Sequence, residues 1–131
     1  FGQHITQLVM AEQGDEDMAE FIRPLAQLGQ QVTQLTGELG YKALQNADEV
    51  GAAAVDYLRV IGHLVLGYFW ARMAKAALQK IAAGDRDPFY AAKLQTARFY
   101  FARLLPETAA LMQSARAGAS SLMDTEAIFG G

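Results

Sequence analysis

At 131 residues and 52% hydrophobic content, the chain is long enough to bury one compact core without crosslinks. It has no cysteine, which excludes disulfides, thiolate catalysis and cysteine-ligated zinc or iron–sulfur centres, and fits a reducing compartment such as the cytoplasm. A net charge of −3 is not the basic footprint of a nucleic-acid binder.

Residues 1–17 are largely polar and end in the acids Glu12, Asp15, Glu16 and Asp17, so they are expected to form a leader or linker. Nothing in them follows the basic, apolar, small-residue order of a secretory signal, and the start at Phe1 rather than Met suggests either processing or a cut from a longer protein. From Met18 the apolar residues Phe21, Leu25, Leu28, Val32, Leu35 and Leu39 follow at alternating steps of three and four, the seam of one amphipathic helix. Asp17 and Glu20 offer a capping box, Pro24 is expected to kink or break the first turns, and Gly37 and Gly40 mark a weak end.

Asn46 or Asp48 can cap a second helix that runs to about Ala83. Its stop is well marked, because Gly84 suits the left-handed C-terminal position and Lys80 suits the last turn. Asp87 and Pro88 then read as N-cap and first residue of a third helix. Its seam is Tyr90, Leu94, Ala97, Phe101, Leu104, Thr108, Leu111 and Ala115, with Pro106 expected to bend it near Arg103 without dividing it, and Gly118 ending it. No segment alternates like a strand, so the fold class is all-α: an antiparallel, up-and-down bundle of three to four long helices over 18–118, followed by a tail, 119–131.

The second helix is apolar on every side. Tyr57, Ile61, Leu64 and Tyr68 form one line, Leu58, Val65 and Phe69 another, and Gly62, Leu66, Trp70 and Met73 a third. In a bundle of this size one of these faces lacks a partner within the chain unless the first helix or the tail covers it. The candidate interface is therefore Gly62, Leu66, Phe69, Trp70 and Met73, and self-association through it is expected, with Gly62 and Gly67 permitting close backbone approach. The apolar run Val60–Ala71 is too short to span a membrane.

Residues with the pattern of a catalytic, cofactor-binding or metal site are not found. No GxGxxG, Walker, HExxH, GxSxG or EF-hand pattern occurs, and the acids from Glu12 to Glu20 lack the spacing of a calcium loop. His63, in the most apolar helix, has no carboxylate at metal-ligand spacing and reads as a satisfied core or interface histidine. Charge is uneven: nine acids face the two bases Arg23 and Lys42 through Asp56, whereas nine bases face five acids from Tyr57 onward. The first helix is expected to lie electrostatically against the later ones, the alternative being a basic half that faces an anionic partner.

Several segments carry a family resemblance: Val55-Asp56-Tyr57-Leu58-Arg59 with Gly62, Gly67, Trp70 and Ala71-Arg72-Met73-Ala74; Asp87-Pro88-Phe89-Tyr90-Ala91-Ala92-Lys93; Ala97-Arg98-Phe99-Tyr100; and Ala117-Gly118-Ala119-Ser120-Ser121-Leu122-Met123. Over 18–123 the chain resembles the helical C-terminal extension of acyl-CoA dehydrogenases, in the branch that includes methylmercaptopropionyl-CoA dehydrogenase-like enzymes. The resemblance implies a parent enzyme of fatty acid metabolism that moves hydrogens from an acyl-CoA to FAD. It places the catalytic glutamate and the flavin and CoA segments upstream, so this chain would hold no cofactor and reach acyl-CoA only through its parent. The expected partners are the upstream dehydrogenase domain and further copies in a homo-oligomer. A free-standing helical interaction module is the alternative, and a small-ligand carrier with a cavity among Tyr57, Tyr68, Phe69 and Phe101 is a third reading.

Overall fold

The computed structural model describes residues 2–45 and 51–117, and among them every regular element is helical. Helix α1 spans Gly2–Glu12, α2 Ala19–Gln45, α3 Gly51–Ala82 and α4 Pro88–Phe99. A π-helical turn, Tyr100–Leu104, follows α4, and the backbone is α-helical again over 107–117. The caps expected at 46–48, the end at Gly118 and the tail lie outside the described residues.

Residue pairs give the topology. Thr36 meets Tyr57, Leu25 lies under Gly67 and Asp15 meets Lys75, so α2 and α3 run antiparallel. Glu20 meets Arg98 and Glu38 meets Arg116, so the last helical stretch runs parallel to α2. This is the up-down-up bundle read from periodicity. Lys75, Arg98 and Arg116, bases of the second half, each pair with acids of the first: Glu12 and Asp15, Glu20, and Glu38. The charge asymmetry along the chain is thus used inside the fold.

The core is built from unequal contributions. Met18, Phe21, Leu25 and Leu35 of the first seam are fully buried, whereas α3 turns inward the small residues Ala53, Ala71, Ala74 and Ala77 with Val60, Leu64 and Tyr68. Gly67 belongs to this inner face: a Cβ there would stand 3.4 Å from a Leu25 methyl. Large side chains of α2 therefore pack close to the backbone of α3. Phe21 and Phe101 meet edge to face at 5.4 Å and tie α2 to the segment after α4, a favoured aromatic geometry.

Three expectations are corrected. Residues 2–12, expected as a polar leader, form α1, which packs on α2 with Ile5 buried and Leu8 and Val9 against the core. The spacing Ile5, Leu8, Val9 and Glu12 is itself helical, but the polar composition around it masks the signal. At the start of α2 the cap is Asp15 rather than Asp17: its carboxylate accepts from the Asp17 N–H and opens a 3₁₀ turn, Glu16–Met18, after which α2 runs unbroken through Pro24, Gly37 and Gly40. Pro106, third, does more than bend the last helix. Leu105 N–H donates to Tyr100 O, and the i→i−4 ladder is interrupted until residue 107. Proline offers no N–H and its ring crowds the carbonyl four residues back, so the chain widens into a π turn just before it. The buried line then passes through Leu105 and Met112, while Leu111 is only partly buried.

The turn between α3 and α4 follows the sequence closely. Gly84 has φ +90°, its N–H donates to Ile81 O, and the Asp85 N–H donates to Lys80 O, the paired bonds of a Schellman end. Asp87 then caps α4 by accepting from the Phe89 N–H, with Pro88 in the first turn.

Candidate functional site

Beside Val60, Leu64 and Tyr68, α3 places mostly small residues inward, and several of its large apolar residues fall outward. Leu66, Phe69 and Met73 are 49%, 50% and 40% exposed, and Val55 and Leu58 extend the strip toward the N-terminus of the helix. Gly62 is exposed on the same face with open space above it. Trp70 sits at its edge, half-buried and packed against the core. Gly62, Leu66, Phe69 and Met73 are thus brought together on one outer face that neither α1, α2 nor α4 covers, and Trp70 borders it. Gly67, expected with Gly62 to permit close approach of a partner, points into the core instead.

Beside this strip lies a small polar cluster. The Tyr100 hydroxyl donates to the His63 carbonyl at 2.9 Å and stands 3.2 Å from His63 Nδ1, while His63 Nε2 is 3.5 Å from a Glu107 carboxylate oxygen. With its hydroxyl proton on the carbonyl, Tyr100 accepts from Nδ1–H, and Nε2 bonds the Glu107 carboxylate only in the doubly protonated ring. Burial pushes the Tyr100 hydroxyl up to about 12, which keeps it neutral. The cluster links α3 to the π turn and the segment after it. A shallow groove of about 580 Å³ runs between them, with Arg59, His63 and Leu66 on one side and Glu107 and Leu111 on the other.

At the opposite end of the site is the foot of α1. Lys75 Nζ donates to Glu12 at 2.8 Å and to Asp15 at 3.2 Å, and these carboxylates raise the lysine above its ordinary value. The acids that suggest cation binding in the sequence are therefore partly engaged by a lysine. Among the described residues no group of three or more His, Cys, Asp or Glu side chains could hold a metal ion.

The four aromatics of the carrier reading do not share a cavity. Phe101 is buried against Phe21, Phe69 is exposed, and Tyr57 lines a separate groove of about 620 Å³ between α1, α2 and α3. That groove is walled by Ile5, Val9, Val32, Ile61 and Leu64 and has no Lys, Arg or His in its lining. A flavin dinucleotide or CoA brings a diphosphate that needs cations or a glycine-rich turn at a helix start. The lining of this groove offers neither. Nor is any helix among the described residues long and apolar enough to cross a membrane.

Comparison with known proteins agrees with the resemblance in the helix-packing segments. The sequence profile of the family described as Acetyl-CoA dehydrogenase C-terminal like matches residues 1–126, including α1, and the chain belongs to that family. No curated protein matches the chain.

Proposed function

We propose, for a chain that belongs to the acetyl-CoA dehydrogenase C-terminal-like family, that it is the non-catalytic accessory domain of an FAD-dependent acyl-CoA dehydrogenase and packs the outer face of α3 on the dehydrogenase body. The observation that carries this is the strip of Leu58, Leu66, Phe69 and Met73, exposed on a helix otherwise built for burial. Large side chains gain roughly 1.5 to 3 kcal/mol each when removed from water, before association costs are counted. Flavin, acyl-CoA and the reacting carboxylate belong to the body in this reading. The parent's homo-oligomer contacts and its cytoplasmic location are part of the same proposal.

The test separates chain from body. Purified with excess FAD and assayed with acyl-CoAs and an artificial electron acceptor, the chain alone is expected to retain no flavin and show no turnover. Removed from the full-length polypeptide, it should leave a body that still binds flavin but has lost assembly or stability. Stoichiometric flavin on the chain alone would overturn the reading, as would a body wholly indifferent to its removal.

A further inference from the structure

Of the nine bases from Tyr57 onward, three are paired inside the fold and two flank the apolar strip. Lys75, Arg98 and Arg116 are taken up by Glu12 and Asp15, Glu20 and Glu38. Arg59 and Arg72 are exposed on either flank of the apolar strip and meet no carboxylate among the described residues; Arg72 lies 5.7 Å over the Tyr68 ring. The strip itself has no acid. Asp56 is the one carboxylate of α3, and it is half-buried.

We infer that the surface against which α3 docks is apolar at its centre and carries carboxylates on both sides, placed to meet Arg59 and Arg72. The inference rests on the docking reading above and specifies the partner's chemistry. Burying an apolar strip removes water from the guanidinium groups at its edge, which must then be paired or left costly. A second copy of α3 supplies a poor partner, since its outer face brings two more arginines and one rim acid, Glu107, which already faces His63. The acidic half of a second copy serves poorly too: Glu12, Asp15, Glu20 and Glu38 are already engaged, and the exposed Glu16 and Asp17 stand together in one 3₁₀ turn rather than on two sides of an apolar surface. The carboxylates therefore come from the dehydrogenase body.

Hydroxyl-radical footprinting of Leu66, Phe69 and Met73 in the full-length polypeptide, read by mass spectrometry, tests this. Wild type should be protected relative to the isolated chain, and Leu66→Glu should abolish the protection. The double variant Arg59→Glu/Arg72→Glu should weaken docking about tenfold or more, because each reversal sets like charges together at the rim. High salt should weaken the wild-type contact in the same direction. Protection lost in Leu66→Glu but intact in the charge-reversed variant would overturn the carboxylate partner and leave docking standing. A strip as reactive in the full-length protein as in the isolated chain would overturn docking itself. Crosslinks joining Phe69 regions of two copies would assign the face to self-association and also overturn the inference.

Discussion

The two faces of α3 have almost the same hydrophobicity and opposite fates. Inward, Ala53, Ala71, Ala74, Ala77 and Gly67 let the backbone approach Leu25 and Phe101, so the large side chains of α2 fill the space. Outward, Leu66, Phe69 and Met73 are themselves large and stay partly exposed among the described residues. Although Val60, Leu64 and Tyr68 also turn inward, the inner face is made mostly of small residues. A helix packed on its neighbours is small where the partner's bulk is supplied within the chain, and large where its own side chains must enter another surface.

The largest expected effect separates the faces directly. Phe21→Ala, beneath the inner face, should lower the unfolding free energy of the chain by about 3 to 5 kcal/mol in urea titrations, while Leu66→Ala should change it by less than about 0.5 kcal/mol. Equal losses would mean that part of the chain already covers the strip.

A smaller effect concerns the bolt between α3 and the π turn. Tyr100→Phe should cost about 1 kcal/mol near neutral pH through its lost hydrogen bonds to His63. The wild type should also lose stability in alkali. The folded chain holds the Tyr100 proton to about 12, whereas the unfolded chain releases it near 10.0, so this contribution is complete below pH 10.0 and fades as pH rises toward 12. Lys75 acts in the same direction: its raised value makes its stabilisation complete below 10.5 and lost above it. Urea midpoints across this range should fall less steeply in Tyr100→Phe, and an unchanged slope would show that the hydroxyl is not the titrating group.

The smallest effect sharpens the comparison at one position. Gly62 lies in mid-helix with nothing within 4 Å of where an added methyl would stand, so Gly62→Ala should stabilise the isolated chain by about 0.5 to 1 kcal/mol. In the full-length protein the gain should shrink or reverse if a partner backbone approaches there. The same gain in both would place the docking contact elsewhere on α3.

These contrasts also explain how much is legible in the sequence. The seams of α2 and α4, the stop at Gly84 and the cap at Asp87 are set by local periodicity and capping chemistry, and the fold reproduces them. Helix α1 is concealed because its apolar stripe is only three residues wide in a polar context, and its anchor, Lys75, lies 60 residues away from Asp15. The π turn is concealed because a proline states that the ladder must break but not how the chain will absorb it. For the candidate site, the line Gly62, Leu66 and Met73 is visible as an apolar excess. Which glycine faces the core is not, since Gly67 is distinguished only by its contacts with Leu25, Leu105 and Phe101.

On the docking reading, the outer face of α3 is idle within this chain and engaged outside it. Leu66→Glu measures this most directly when its thermal unfolding is compared in the isolated chain and in the full-length polypeptide. The midpoint should be unchanged in the isolated chain and clearly lowered in the full-length protein, where a charge must enter an apolar contact or abolish it. A drop of equal size in both would contradict it, as would no change in either.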